Sequence, residues 1–456
     1  MNVKRLPWLV FTLLMVLALV LSACGGGEAP PDTGEQPTEA VSQPTEAVEV
    51  PTEPEEEPTE AMEEPTEEME ETEAVVEAAG EPLKIGVLSD LTGALALFGN
   101  EMWNGLQIGF DYATDGSMVV AGRPIELIIR DDTSDVEAGT AAARELIEAE
   151  GVEILIGNAS SGVAAQVQQI ADENGVLYFA APAAAHDIVG ANWNQHTFRI
   201  CRDSAQDAST IAGWAINNLG SRYLILAEDY AFGQDTAAAF QAVFGAMGAE
   251  FLTEQPIFAP SDTTDFTPYI QQILQAEPDG LILIWASNTS AQILFDQLTT
   301  QGVTGNIPFI TGFSSNDLTR LLDPGMAGSV GLIVYHYTLP QTEANDYLTE
   351  QYIERFEGPP DLFSECGFAT AQAVVQALEE TGGDTSPEAM IPVLEGMTFE
   401  GPKGTYNIRA GDHQALAPMY VVRLVNVDDP EDRFFELVDE VSAEESAPPC
   451  DSPNCE

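Results

Sequence analysis

From Lys84 onward, short runs of Val, Ile and Leu alternate with longer amphipathic stretches, and this alternation narrows the fold more than any other feature. The apolar runs are "KIGVLS", "IELIIRDD", "VEILIG", "LYFAAP", "RYLILAED", "GLILIWAS" and "IPFITG". Between several of them lie helical patterns such as "DVEAGTAAARELIEAEG", "SGVAAQVQQIADENG", "DTAAAFQAVFGAMG" and "TSAQILFDQLTTQG". Continuous apolar strands separated by helices are βαβ units, which pair into parallel sheets covered on both faces. The pattern restarts around Ser221 and is too long for one sheet of ordinary size. The fold class is therefore α/β, in two lobes, each a parallel sheet between helices.

The rest of the chain is of another kind. Residues 25–81 hold 20 acidic residues and no Lys or Arg, with "PTE" recurring at Pro37, Pro44, Pro51, Pro58 and Pro65. A seven-residue period suggests a coiled coil, but a proline in every repeat forbids a continuous helix. The expectation for 24–80 is a disordered acidic tether. Before it, "MNVKRLPWLVFTLLMVLALVLSAC" has two positive residues, an apolar run and small residues ahead of Cys24. "LSAC" resembles a bacterial lipobox, which implies a signal peptide over 1–23 and a lipid on Cys24. The competing reading is a membrane-spanning anchor, for which the run is barely long enough.

The net charge of −60 argues against a nucleic-acid partner, because phosphates need a basic surface. Pro82 onward still carries 55 acidic and 13 basic residues, a surface kept soluble by excess carboxylate. Four cysteines remain: Cys201, Cys366, Cys450 and Cys455. Outside the cell they can pair as disulfides, Cys450 with Cys455 in a small loop and Cys201 with Cys366. Free buried thiols are the alternative. No Cys/His cluster suggests a metal, and no cofactor is expected.

Ligands of open α/β sheets bind beyond the carboxyl ends of the strands. Four loops occupy such positions: "SDLTGALALFGN", "GNASSGVAAQ", "APAAAHD" and "EDYAFGQD". In the second, Ser160 and Ser161 stand where a helix begins, so hydroxyls and free N–H groups can meet an anion together. Plain capping needs one serine only.

Together, "IGVLSDLTGALALFGNEMWNGLQIGFDYA", "IIRDDTSDVEAGTAAARELIEAEGVEILIGNASSGVAAQVQQIADENGVLYFAAPAAA", "TFRI" and "RYLILAEDYAFGQDTAAAFQ" resemble the type I periplasmic binding proteins. The likeness is to the leucine/isoleucine/valine-binding group of ABC importers, from Pro82 to about Leu437. It implies a Venus-flytrap of two lobes, 82–200 plus 338–402 and 201–337 plus 403–440, followed by a tail at 441–456. Three crossovers are implied near Ile200, Val334–Tyr337 and Gly401–Tyr406. The implied partners are a small carboxylate-bearing ligand and the permease and ATPase subunits of an importer. Membrane contact is then through the lipid alone, and the protein is a monomer. A sensory receptor of the same fold, coupled to a signalling partner, is the alternative.

Carried over position by position, the family's ligand residues fall on Phe98, Ser161 with Ser160 beside it, Ala183, Ala185, and Phe232 with Tyr230 nearby. Ala185 lacks the hydroxyl that the family has there. The acid that pairs with a ligand ammonium falls on Phe313, so Asp229, Glu228 or Asp187 must substitute, or the ligand has no ammonium. Trp285 would add a further aromatic to the cleft, although core packing explains Trp285 and Phe313 equally. Arg202 faces an anionic ligand in this reading, and Arg199 braces the hinge. No G-x-S-x-G or H-E-x-x-H is present, and His186, His196, His336 and His413 are scattered, which argues for a binder over a lipid-anchored hydrolase. The pair Asp131/Asp132 ends a strand, where capping is commoner than acid/base chemistry.

Overall fold

The computed structural model describes residues 80–310 and 312–455. The expected signal peptide, Cys24 and nearly all of the acidic tether lie outside them. Among the described residues no helix is long and apolar enough to cross a membrane.

The first sheet runs β2-β3-β1-β4-β5-β6. Its strands are β1 (Leu83–Ser89), β2 (Val119–Val120), β3 (Arg123–Asp131), β4 (Ile154–Gly157), β5 (Leu177–Ala180) and β6 (Thr197–Phe198). All pairs but β2–β3 are parallel, with Val87 between Ile129 and Ile156. Leu83, Ile85 and Val87 are wholly buried, each worth about 1.5–3 kcal/mol relative to exposure. The crossovers are α1 (Ala96–Ala113), α2 (Val136–Arg144) and α3 (Ser161–Asn174). Asp135 caps α2 by accepting from Ala138 N–H, and Gly175 in the left-handed region ends α3.

After α4 (Ser204–Asn218) comes a second parallel sheet, β11-β10-β7-β8, with β9 also on β7. Its strands are β7 (Arg222–Glu228), β8 (Glu250–Phe251), β9 (Ile257–Ala259), β10 (Gly280–Ile284) and β11 (Phe309–Ile310). The helices α5 (Ala231–Ala246), α6 (Thr267–Ala276), α7 (Asn288–Thr300) and α8 (Asn316–Thr319) accompany it. Two lobes thus follow from two runs of βαβ units.

The remainder returns to both. β12 (Val330–Ile333) joins the second group through the Gly312–Leu332 bridge. The chain then supplies α9 (Glu343–Phe356), α10 (Ser364–Thr381) and α11 (Pro387–Leu394) to the first. Helices α1 and α10 pack backbone to backbone: a Cβ on Gly105 would meet Ser364 O at 1.9 Å, and one on Gly367 would meet Met102 O at 2.1 Å. The strands β13 (Thr398–Gly401), β14 (Gly404–Ile408) and β15 (Ala415–Leu416) form an antiparallel sheet. Gln372 of α10 donates to Glu400 O in it. The stretch expected as the third crossover, Gly401–Tyr406, is therefore a hairpin held on the first lobe's helix. The chain leaves only at β16 (Met419–Leu424), which pairs with β12 and with β17 (Phe435–Val441).

The first and third passages lie side by side. Arg199 is fully buried: it donates to Ala185 O at 2.6 Å and Gln414 Oε1 at 2.6 Å, and is paired with Asp203. Gln414 donates in turn to Cys201 O. Cys201 is bonded to Cys366 of α10, their Cα atoms 5.0 Å apart. Cys450 is bonded to Cys455 in the tail, where Asp451 reaches His186 and Ser452 donates to Gly411 O.

Candidate functional site

Where the two parallel sheets present their carboxyl ends to each other lies a cleft of about 820 Å³, its solvent-open mouth included. From the first sheet come Leu95 and Phe98 after β1, Ala159 and Ser161 after β4, and Pro182 and Ala184 after β5. The second contributes Tyr230 and Phe232 after β7, Trp285 after β10 and Phe313 after β11. The passages between them add Arg202, Asp207, Val334 and Phe363.

The loop after β1 is shaped by Asp90, whose carboxylate accepts from Gly93 and Leu95 N–H and from Ser134 Oγ. That turn lets α1 begin at Ala96, so Phe98 sits on the first helical turn and not in the loop. The helix can start there because residue 99 is glycine: a Cβ would meet Asp90 O at 1.9 Å. Phe98 then meets the edge of Phe363, ring centres 5.1 Å apart.

The loop after β4 is held from below. Asn158 donates to Asp132 at 2.6 Å, and Tyr178 OH donates to Gly157 O and Asn158 Oδ1. Burial pushes the Asp132 carboxyl up to about 6, against the pull of the Asn158 hydrogen bond. Asp131 accepts from Leu91 N–H and Thr92 Oγ1. Both acids thus brace loops.

Ser160 is the N-cap of α3, extended, with no capping bond from its side chain, and it does not line the cleft. Ser161 does line it. Its Oγ accepts from Ala185 N–H at 3.2 Å, which leaves its own proton to donate. Ala183, Ala184 and Ala185 are all buried, and of the three Ala184 lines the cleft. The side chain of Phe313, 6% exposed, rests on Phe435 with ring centres 5.0 Å apart.

None of the three acids expected to replace the one missing at Phe313 lines the cleft. Glu228 is fully buried, accepting from Ala286 and Ser287 N–H and Ser287 Oγ, and so ties β7 to the loop after β10. Asp229 is exposed and accepts from Gln234; Asp187 is exposed beside Asp235. The acid in the wall is instead Asp207, on α4, which the sequence reading missed. Its signal was present, an acid within the first turn of the helix after "FRIC". Burial pushes its carboxyl up to about 6, opposed by Arg202 and reinforced by Asp203.

Arg202 lies between two rings, 5.2 Å from the centre of Phe363 and 5.9 Å from that of Phe232, and donates to Pro182 O at 3.3 Å. No histidine lines the cleft. His196 pairs with Asp172, His336 bonds Thr338 and Asp432 O, and His413 stacks on Phe198 at 3.9 Å. His186 pairs with Asp203, which raises its pKa to about 9 although burial alone would lower it.

The model of the family described as periplasmic binding protein matches residues 82–429. The chain belongs to that family. Leu/Ile/Val-binding protein homolog 6 of Brucella suis is 24% identical to this binding protein over 363 residues, 78% of this chain and 91% of its own. The crystal structure of an ABC-type branched-chain amino acid transporter from Rhodopseudomonas palustris is 34% identical, with TM-score 0.68 over 81% of this chain and 99% of its own. A solute binding protein of an ABC transporter from Rhodopseudomonas palustris BisB5, solved with 3,4-dihydroxybenzoic acid, shares the fold at TM-score 0.70 and 23% identity. That likeness covers 80% of this chain and 98% of its own. These relatives are solute-binding proteins, and the two-lobed α/β architecture of this binding protein is theirs.

Proposed function

We propose that this periplasmic binding protein captures a small carboxylate-bearing solute outside the cell and hands it to the permease and ATPase of an ABC importer. A lipid on Cys24 and the acidic tether hold it to the membrane as a monomer. Its two lobes take 82–200 plus 338–416 and 201–337 plus the chain from β16 onward, because the strands at 398–416 pair with one another and are held by α10. The observation that carries the reading is Ser161, a hydroxyl with a free proton at the first residue of a fourteen-residue helix, opening into a cleft shared by both sheets. Helix N-termini favour anions through their free N–H groups and dipole. Phe98, Tyr230, Phe232, Trp285 and Phe313 supply apolar walls, and Arg202 a second anion contact. Ser160, Ala183 and Ala185 act through the backbone that shapes the wall.

The solutes named for the relatives, branched-chain amino acids and an aromatic acid, fit a carboxylate held this way. Because the ligand touches both lobes only when they are closed, its binding shifts the population towards closure. A thermal-shift panel of amino acids, aromatic acids and amides tests this. A carboxylate-bearing compound is expected to raise the melting temperature, and Ser161→Ala to weaken it. No shift across the panel, or normal binding by the variant, would remove the assignment.

A further inference from the structure

Arg202 and Asp207 are the charged side chains among the described residues that line the cleft, and their pairing is incomplete. Arg202 Nε stands 3.5 Å from Asp207 Oδ2, longer than an ordinary N–H···O bond. Both side chains are only 9% exposed. Yet Arg202 Nε and Asp207 Oδ1 have no hydrogen-bond partner among the described residues. Buried polar atoms are nearly always satisfied, and leaving a charged one bare is costly.

The neighbouring charges are already committed. Arg199 holds Asp203, Gln414 and Ala185 O. Lys403 lies against Val334 O and Glu365. Of these charged groups, Arg202 and Asp207 line the cleft, and Arg199, Asp203, Lys403 and Glu365 do not.

Charge balance then selects the occupant. The Arg202–Asp207 pair is neutral, and the other walls are apolar or uncharged. A simple carboxylate enclosed here leaves one unbalanced negative charge in a low-dielectric space, whereas a zwitterion leaves none. We infer that Asp207 is the specificity-determining acceptor for a ligand ammonium, so that the cleft selects a zwitterion over the corresponding plain carboxylate. The ammonium partner comes from α4, and the position after β11 is free to be the phenyl ring of Phe313. This inference rests on the solute-binding reading above and narrows its substrate class.

Calorimetry on the full chain tests it with matched triplets: an L-amino acid, its 2-hydroxy analogue and its des-amino analogue. L-leucine, 2-hydroxy-4-methylpentanoate and 4-methylpentanoate form one set, and L-phenylalanine with its analogues a second. The amino acid is expected to bind at least about tenfold tighter than either analogue, the worth of one hydrogen bond between charged groups. Asp207→Asn is expected to erase that preference while still taking the des-amino acid. Equal affinity within wild-type triplets, or a preference that survives in Asp207→Asn, overturns the inference. The wild-type comparison decides even where the variant fails to fold. Binding of des-amino acids without amino acids removes this inference and keeps the solute-binding reading; binding of no carboxylate removes both.

Discussion

At the scale of single residues, the polar chemistry of this protein is concentrated where the lobes meet. Arg199 and Asp203 are both fully buried and paired. Removing Arg199 leaves buried Asp203 with His186 as its remaining cationic partner, so Arg199→Met is expected to lower unfolding free energy by up to about 3–5 kcal/mol in denaturant titrations. His186 makes a pH prediction. Its pKa is raised to about 9 from an ordinary 6.5, so the stability it contributes is full below about 6.5 and is lost as pH rises through about 9. Melting temperature should therefore fall over that window, and His186→Gln should flatten the slope. Asp207 predicts a binding effect of opposite sense. An ammonium binds its ionised form, so amino-acid affinity should weaken as pH drops below about 6 and level off above it. Arg202, Asp203, Lys403 and Arg199 are the charges that set this value, and Asp207→Asn should abolish the dependence.

At the scale of elements, the strands were legible because each is a short apolar run between turn residues. The helices were legible because their burial repeats with helical period. The start of α1 was not, since it depends on Asp90 reaching forward to two N–H groups, a contact that periodicity does not encode. The crossover that the family resemblance implied at Gly401–Tyr406 falls on the β13–β14 hairpin, whose packing on α10 no local pattern encodes. The lining of the cleft was legible where strand-end loops make it, as at Ser161, Phe232 and Phe313. Phe363, ahead of α10, was illegible, and Asp207 was missed because its signal, an acid in the first turn of α4, lies outside those loops. The close approach of α1 and α10 carries its own prediction. Gly367→Val puts side-chain carbon into the backbone of α1 and should cost at least about 1–3 kcal/mol by overpacking, read from the melting temperature. The Cys201–Cys366 bond pins the first passage to α10 and closes 165 residues, so replacing both cysteines should cost about 2–5 kcal/mol.

At the scale of the whole molecule, two carboxylates join the lobes on either side of the cleft. Asp235 of α5 accepts from His186 N–H at 2.5 Å, and Asp361, ahead of α10, accepts from Asn316 N–H of α8 at 2.7 Å. Neither lines the cleft. Replacing both with Ala should raise the radius of gyration in solution scattering and weaken ligand binding, because fewer molecules are closed. The central claim is that one small solute is gripped by both lobes at once. Hydrogen exchange with and without a solute that raises the melting temperature tests this most directly. Slowed exchange is predicted both at 158–164 in the first lobe and at 229–236 in the second. Protection confined to one of these segments, or to neither, would contradict it.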